Sequence, residues 1–275
     1  MSKICKDRVV IITGAGGGLG AAHARVLASE GACVVVNDIN EAAASKVVEE
    51  IIAAGGRAVV NTSDITNYND SLNAVKQALA TFGDLHAVVN NAGINRDRMF
   101  ASMTEEDWDL IMAVHLKGHF CISSHAVHYW RGQSKEGKAV DARIINTSSG
   151  AGLQGSVGQS AYSAAKGGIA TLTLVQAAEL RRYGVTANAI APSARTRMTE
   201  TVFADMMKKP EQGFDVMDPA NVSPLIAWLA STASREISGY VFEIAGGKLS
   251  IADGWRTGPE IDKGARWNAA EIGDA

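Results

Sequence analysis

The chain has 275 residues, of which 47% are hydrophobic and 20% are charged, and its formal net charge is -3 at pH 7. This amount of apolar surface excludes a disordered chain, because burying it can offset the entropy that is lost on folding. The small negative charge leaves no excess of basic residues to bind a phosphate backbone, so nucleic acid is not expected as a partner. No apolar run approaches the roughly 20 residues of a membrane helix, so a membrane is not expected as a partner either.

Short apolar runs alternate with helix-length amphipathic segments along most of the chain. This alternation is typical of an α/β fold with a doubly wound parallel sheet and helices on both faces. Because no linker-like composition interrupts it, we expect a single domain over residues 1–250, with a substrate flap at about 195–219 and a C-terminal tail at 251–275. Seven strands are predicted, at residues 8–13, 33–37, 58–61, 87–90, 143–147, 186–191 and 241–244.

A glycine-rich turn follows the first predicted strand directly and precedes a helical segment. Glycines allow a tight turn there and let backbone N–H groups approach a pyrophosphate, which then faces the helix N-terminus. Strand, turn and helix in this order predict a Rossmann-type dinucleotide site. The candidate cofactor-binding residues of the turn are Gly14, Gly17, Gly18, Leu19 and Gly20.

An acidic residue, Asp38, comes at the end of the second predicted strand. A carboxylate there can accept hydrogen bonds from both hydroxyls of an adenosine ribose, and it repels a 2′-phosphate. Since no Arg or Lys occurs in the turn or directly after Asp38, the predicted cofactor is NAD rather than NADP. Further candidate cofactor contacts follow the third and fourth strands, at Asp64, Ile65, Asn91, Ala92 and Gly93.

Tyr162 and Lys166 are four residues apart at the start of a predicted helix, which puts both side chains on one face. A free phenol has a pKa of about 10 and is a poor base at neutral pH. A nearby ammonium and an oxidised nicotinamide would both lower that pKa, so Tyr162 is a candidate general acid or base. Ser148 and Ser149 follow the fifth strand, where either hydroxyl can hold a substrate carbonyl oxygen.

These motifs together resemble the short-chain dehydrogenase/reductase family. The matching motifs are TGxxxGxG at 13–20, NNAG at 90–93, and a serine thirteen residues before YxxxK at 162–166, within a resemblance that covers about residues 6–247. The serine spacing selects Ser149. The resemblance implies that Tyr162 donates or accepts the hydroxyl proton, that Lys166 binds the nicotinamide ribose and lowers the tyrosine pKa, and that Ser149 orients the carbonyl.

Two positions depart from the family pattern. His115 stands where the family normally has an Asn that holds a water for the proton relay. We expect His115 to support the site in the same way, and its protonation would then affect the pH profile. Pro192-Ser193 replaces the usual Pro-Gly, and the threonine that contacts the nicotinamide carboxamide in the family comes one residue early here, at Thr196. Thr196 is the predicted carboxamide contact.

Longer segments at 91–98, 114–118, 191–201 and 219–247 are similar to the (3R)-hydroxyacyl-CoA dehydrogenase domains of the type 2 peroxisomal multifunctional enzymes. The similarity implies oxidation of a 3-hydroxyacyl-CoA to the 3-oxoacyl-CoA with NAD. The alternatives are a 17β-hydroxysteroid dehydrogenase that acts on a free steroid and, more remotely, a non-catalytic NAD-binding sensor. The family resemblance also implies a homodimer or homotetramer, formed through the helices that contain His115 and Tyr162.

The three cysteines, Cys5, Cys33 and Cys121, are odd in number and share no close metal-like spacing. We therefore expect reduced, structural thiols and no bound metal. The first residues lack the basic start and the long apolar segment of a secretory signal, so a cytoplasmic protein is predicted.

Overall fold

Eight strands form one sheet in the part of the chain that the computed structural model describes, which is residues 3–196, 207–254, 256, 258–267, 269 and 272. Their order across the sheet is β3-β2-β1-β4-β5-β6-β7-β8, and the first seven in sequence are parallel to one another. This arrangement confirms the predicted doubly wound α/β fold. The strands are β1 Val9–Thr13, β2 Cys33–Asn37, β3 Arg57–Asn61, β4 Ala87–Asn90, β5 Ala142–Thr147, β6 Val185–Ser193, β7 Val241–Ala245 and β8 Lys248–Ile251.

The prediction of seven strands missed β8, which pairs antiparallel with β7 at the edge of the sheet. Gly246 and Gly247 form the two-residue connection, and Gly246 has a φ of +56°, in the region that favours glycine. All four residues of β8 are exposed, so the strand lacks the continuous apolar run that marks the buried strands. The predicted domain boundary at residue 250 falls inside this strand.

Helices cover both faces of the sheet. A π-helical turn, Met112–Lys117, joins α4 to α5. Side chains of α1, α2 and α8 pack on one face of the sheet, and side chains of α3, α5 and α7 pack on the other. The helices are α1 Gly18–Ser29, α2 Glu41–Ala53, α3 Tyr68–Phe82, α4 Glu105–Ile111, α5 Gly118–Lys135, α6 Gly150–Gln154, α7 Ser160–Leu180 and α8 Ser223–Ala230.

The first strand shows why the strands consist of continuous apolar runs rather than of alternating apolar and polar residues. Val10 and Ile12 pack with one group of helices, whereas Val9 and Ile11 pack with the other. All four side chains are buried, because a parallel sheet is covered on both faces. The strand order reverses between β1 and β4, and ligands of open α/β sheets bind at the carboxyl ends of the strands beside such a reversal.

Within the described ranges, no helix combines the length and the apolar character that crossing a membrane requires. The same residues contain no group of three or more His, Cys, Asp and Glu side chains arranged to hold a metal ion. All three cysteines are buried free thiols, and burial raises the pKa of Cys5 to about 11.

Candidate active site

A cavity of about 430 Å³ lies at the carboxyl edge of the sheet, beside the strands β1 and β4. Residues from the glycine turn, from the ends of β2, β4, β5 and β6, and from the start of α7 meet there. The structure thereby brings together most of the predicted site. The predicted residues that line the cavity are Gly14, Gly17, Gly18, Leu19, Asp38, Asn91, Gly93, His115, Ser149, Tyr162, Lys166 and Thr196.

The glycine turn gives the cavity its backbone wall. Gly14 and Gly18 have φ values of +62° and +52°, which other residues rarely adopt. Gly20 lies outside the cavity, and a Cβ atom there would come within 2.3 Å of the Gly14 carbonyl oxygen. Its small size allows α1 to pack against the turn, so that the N-terminal residues of this helix face the cavity. This backbone fits a pyrophosphate group.

The Asp38 carboxylate is fixed by two backbone groups. Its Oδ2 accepts a hydrogen bond from the N–H of Gly16 at 2.9 Å, and its Oδ1 accepts one from the N–H of Asn40 at 2.9 Å. A Cβ atom on Gly16 would lie 2.8 Å from the same carboxylate, so the contact requires glycine. The sequence analysis missed Gly16, although its position in the turn was visible.

Asn91 joins the end of β4 to the glycine turn. Its Nδ2 donates to the carbonyl oxygens of Thr13 and Gly14, at 3.0 and 3.2 Å. The backbone N–H groups of Asn91 and Ala92 both donate to the Thr13 hydroxyl, at 3.0 and 3.1 Å. Ala92 therefore lies behind the cavity, and these bonds hold the two strand ends in register.

Asp64 and Ile65 do not reach the cavity. Asp64 is exposed, and its Oδ1 accepts hydrogen bonds from the N–H and the hydroxyl of Thr66, at 2.8 and 2.7 Å. Ile65 is buried, and its Cδ1 would be 2.5 Å from a Cβ atom on Gly118, in the first turn of α5. Local capping and helix packing account for the positions of both side chains.

The candidate catalytic residues come from β5 and α7. Lys166 is 2% exposed, its Nζ donates to the Thr147 carbonyl at 2.6 Å, and it lies 5.6 Å from the centroid of the Tyr162 ring. Ser149 caps the short helix α6 by accepting a hydrogen bond from the N–H of Ala151 at 3.2 Å. These bonds fix the Lys166 and Ser149 side chains at the cavity that Tyr162 also lines.

Ser148 and Ser149 differ in what their hydroxyls contact. The Ser148 hydroxyl is buried and donates to the Lys166 carbonyl at 2.8 Å. Ser149 instead lies near Tyr162, and the interaction of its hydroxyl with the phenol lowers the phenol pKa. Because the Ser148 hydroxyl is already engaged with Lys166, these contacts favour Ser149 independently of motif spacing.

Burial dominates the electrostatics of the pair. It raises the pKa of Tyr162, and the negative charge of Asp97 raises this pKa further. Burial lowers the pKa of Lys166 to about 7. The described groups of the protein therefore favour a neutral phenol, because the phenolate is poorly solvated at this half-buried position. The predicted lowering of this pKa by Lys166 and an oxidised nicotinamide stays a prediction.

His115 lies in the π-helical turn, and its ring is edge-on to Tyr162 with 5.2 Å between centroids. Its Nε2 is 2.8 Å from the Ile94 carbonyl oxygen, and its buried Nδ1 has no hydrogen-bond partner among the described residues. Burial lowers the pKa of His115 to about 3. This shift disfavours the imidazolium near neutral pH, and the predicted effect of His115 protonation on the pH profile stays a prediction.

The predicted flap is described at residues 195–196 and 207–219; the remainder, which includes Arg197, lies outside the described residues. Arg195 forms two parallel hydrogen bonds with Asp215, and its Nε donates to the Met207 carbonyl. The guanidinium lowers the pKa of the Asp215 carboxyl. Arg195 thus fixes both limbs of the flap at its base, next to Thr196.

The cavity also contacts several residues that the sequence analysis did not select. Most of them contribute backbone atoms or small side chains, which carry no chemical signal in a sequence. The backbone carbonyl of Thr147 could have been inferred, because Thr147 ends β5 directly before the two serines. These residues are Gly16, Asn40, Ala43, Thr147, Ser148, Pro192 and Ala194.

Comparison with known proteins adds independent information. Residues 8–207 match the family described as short chain dehydrogenase. Hydroxyacyl-CoA dehydrogenase ChsB1 of Mycobacterium tuberculosis is 43% identical over 96% of this chain and 86% of that protein. Peroxisomal multifunctional enzyme type 2 of Mus musculus is 44% identical over 87% of this chain, which spans 32% of that longer enzyme. The crystal structure of a short chain dehydrogenase from Mycobacterium avium has a TM-score of 0.91 and 56% identity, over 98% of this chain and 93% of that one.

Proposed function

Because the chain belongs to the short-chain dehydrogenase family, we propose that it is an NAD-dependent oxidoreductase that oxidises a 3-hydroxyacyl-CoA to the 3-oxoacyl-CoA. The observation that carries the proposal is the convergence of Ser149, Tyr162 and Lys166 on the cavity beside the glycine turn. The substrate class is supported by a relative that covers most of this chain and is named a hydroxyacyl-CoA dehydrogenase.

Each of the three side chains has a distinct role in the proposal. NAD, when bound, supplies the hydride acceptor. Tyr162 takes the proton of the substrate hydroxyl as a general base, and Ser149 holds the same oxygen by a hydrogen bond as it becomes a carbonyl. Lys166 holds the nicotinamide ribose from the floor of the cavity and adds positive charge near the phenol. In the reverse direction, Tyr162 returns the proton.

His115 and Thr196 complete the proposed site. The buried Nδ1 of His115 can bond a water that passes protons toward Lys166. Thr196 lines the cavity near the glycine turn, with its Cγ2 3.7 Å from where a Cβ of Gly18 would lie, and we assign it a contact to the carboxamide.

Asp38 is the basis for choosing NAD over NADP. We expect Asp38→Asn to lower the ratio of kcat/KM with NAD to kcat/KM with NADP by about 10- to 100-fold, because the charged acceptor for the ribose hydroxyls and the repulsion of a 2′-phosphate are both lost. Steady-state kinetics with both cofactors measures this ratio. Glu41→Ala, which removes a nearby exposed carboxylate, is the control and should leave the ratio unchanged. A ratio unaffected by Asp38→Asn would contradict the assignment.

The substrate class is tested by comparing kcat/KM for 3-hydroxyacyl-CoA thioesters with kcat/KM for free 17β-hydroxysteroids, followed by NADH absorbance. We expect the thioester to be the better substrate. Equal or better turnover of the free steroid would reject the first choice in favour of a hydroxysteroid dehydrogenase. NAD binding without turnover of either class would indicate a non-catalytic sensor.

The proposal includes a homodimer or homotetramer. An exposed apolar groove runs between the π-helical turn, α5 and α7, and is lined by Met112, Ala113, Leu116, Phe120, Leu172 and Val175, among others. Phe120 and Val175 are 51% and 46% exposed, which is unusual for apolar side chains on two adjacent helices. The same helices carry His115 and Tyr162, so a partner subunit here would lie behind the active site.

This groove gives a direct prediction. We expect Val175→Asp to shift the protein toward the monomer in sedimentation velocity, because a carboxylate would be buried without a partner in the interface. Ile52→Asp introduces the same charge at an exposed position on α2 and should leave the mass unchanged. An unaltered assembly in Val175→Asp would place the interface elsewhere.

A cytoplasmic location is also part of the proposal, and it is supported by the three free cysteines. Some relatives are peroxisomal by name, such as the Mus musculus enzyme. Recovery of the protein with a peroxisomal fraction would contradict this part of the proposal alone.

A further inference from the structure

The loop that follows β4 packs against the start of α7. Arg98 in this loop forms a parallel backbone bridge with Gln159, the residue that precedes the first turn of α7. Apolar side chains of the same region, including Ile94, pack against Ala161 in that turn. The loop therefore contacts the segment that holds Tyr162 through both backbone and side-chain atoms.

Asp97 makes the polar side-chain contact between this loop and α7. Its Oδ2 accepts hydrogen bonds from Nε2 of Gln159 at 2.9 Å and from Nδ2 of Asn95 at 3.1 Å. Its Oδ1 is buried and has no hydrogen-bond donor among the described residues. A buried carboxylate oxygen without a donor costs free energy, so its presence in a folded protein calls for an explanation. Neither motif spacing nor the cavity lining points to this residue.

We propose that Asp97 is a positioning residue for the reaction, which fixes the first turn of α7 through Gln159 and holds a carboxylate charge at the end of the helix that carries Tyr162. This inference rests on the proposed role of Tyr162 as the acid and base. It assigns to Asp97 no contact with substrate or cofactor.

Among the described residues, Asp97 is the negative charge that acts on the phenol. Lys166 on α7 is the basic group, at 5.6 Å from its Nζ to the ring centroid, and the π-helical turn contributes the ring of His115 at 5.2 Å between centroids. Burial lowers the pKa of Lys166 to about 7 and that of His115 to about 3. The segment after β5 contributes the uncharged hydroxyl of Ser149, whose interaction with the phenol lowers the phenol pKa.

The neighbouring arginine does not cancel the charge of Asp97. The guanidinium of Arg98 pairs with Asp107, which also interacts with Arg96 and with the Thr104 hydroxyl. Asp97 instead has two neutral amide donors. Its negative charge disfavours the phenolate and raises the pKa of Tyr162, in the same direction as burial.

Together with burial, this charge shifts the pH range in which Tyr162 can act. Oxidation of an alcohol requires the deprotonated phenol, so its rate increases as the pH rises through the pKa of Tyr162. A raised pKa moves this increase to higher pH. Reduction of a ketone requires the protonated phenol, so the same charge preserves the reductive rate to higher pH.

Asp97→Asn separates charge from shape. The amide oxygen of Asn can accept both hydrogen bonds that Oδ2 now accepts, so the variant removes the charge and keeps the link to Gln159. The acid limb is the part of the pH profile in which kcat/KM for the oxidation rises with pH. We expect this limb to move to lower pH by about one unit, with little change in KM. Asp97→Glu, which keeps the charge, should restore the position of the limb. Asp84→Asn makes the same change of charge before β4, at the opposite edge of the sheet, and should not move the limb.

Gln159→Leu tests the positioning role. It removes the hydrogen bond to Asp97 and keeps the carboxylate, so we expect kcat to fall by about 10-fold without the downward shift of the limb. Tyrosinate absorbance provides a readout besides turnover. Subtracting the titration of the double variant with Tyr162→Phe from that of Asp97→Asn isolates the signal of Tyr162. We expect this phenol to ionise at lower pH than in the wild-type protein.

The outcomes distinguish this inference from the proposed function. A limb and a tyrosinate titration that stay in place in folded Asp97→Asn would overturn the role of the charge, and wild-type kcat in Gln159→Leu would overturn the positioning role. Retention of turnover by Tyr162→Phe would instead refute the proposed function. If Asp97→Asn does not fold, the same titration on Asp97→Ser decides the role of the charge.

Discussion

Tyr162→Phe is expected to lower kcat by about 10³-fold or more and to leave the Kd for NAD nearly unchanged, because it removes the proposed proton acceptor and little else. The side chain is half-buried, and the interaction of its hydroxyl with Ser149 is the main one that the substitution deletes. The ring remains, so its edge-on contact with His115 is kept. Turnover is measured by NADH absorbance and NAD binding by calorimetry.

Tyr183→Phe is the matched control, since Tyr183 lies after the end of α7 and outside the cavity. It should retain wild-type kcat. Wild-type turnover by Tyr162→Phe would remove the chemical basis of the proposed function, whereas a large loss of NAD affinity would indicate that the phenol contributes mainly to cofactor binding.

Lys166→Met is expected to affect activity and stability in opposite directions. We expect kcat to fall by about 10²-fold or more, because the cation near the phenol and its proposed contact to the ribose are lost. The free energy of unfolding at pH 7 should rise, on the order of 1 to 3 kcal/mol, since the native lysine is fully buried and its ammonium is poorly solvated. Thermal unfolding of both proteins measures the second effect.

The pH dependence of the free energy of unfolding shows whether the buried charge of Lys166 causes this change in stability. Burial lowers the pKa of Lys166 from 10.5 to about 7 in the folded protein. Between these values the unfolded chain binds more protons, so this lysine makes the wild-type protein more stable as the pH rises, by up to about 1.4 kcal/mol per pH unit. The stabilisation is lost as the pH falls through the folded pKa. Lys166→Met should lack this slope. The control, Lys76→Met on the exposed face of α3, should retain it. A lower Tm of Lys166→Met than of the wild-type protein at pH 7 would contradict a destabilising buried lysine.

Continuous apolar strands made the fold predictable from the sequence. The segment that contains Val9 to Ile12 is buried on both faces, so its position could be read without knowledge of its neighbours. The exposed strand β8 carries no such run, and its place depends on the turn at Gly246 and on the partner strand β7. Local hydrophobic patterning therefore predicts central strands better than edge strands.

The candidate site was predictable where residues carry a local signature. The glycine turn, Asp38 and the pair of Tyr162 and Lys166 are of this kind, and apart from Gly20 the residues predicted there line one cavity. Asp64 also follows a strand, but its own loop takes up its carboxylate, as its bonds to Thr66 show. Spacing alone cannot reveal which polar side chains a loop satisfies internally.

The electrostatics could not be predicted from residue types. Lys166 was expected to lower the pKa of Tyr162, yet burial raises it, because the balance depends on how deeply the ring lies in the folded chain. The neutral state of His115 and the influence of Asp97 arise in the same way, from distances that only the tertiary structure sets.

The ion pair of Arg195 with Asp215 makes the flap a modular part of the enzyme. Its two limbs are tied to each other at the sheet edge by side chains that are 15% and 12% exposed, rather than by the sequence that lies between them. A replacement segment of different length or polarity between these positions has its attachment points already fixed. Under the proposed function, segment grafting above this pair is therefore a route to altered substrate selectivity that leaves the glycine turn, Ser149, Tyr162 and Lys166 intact.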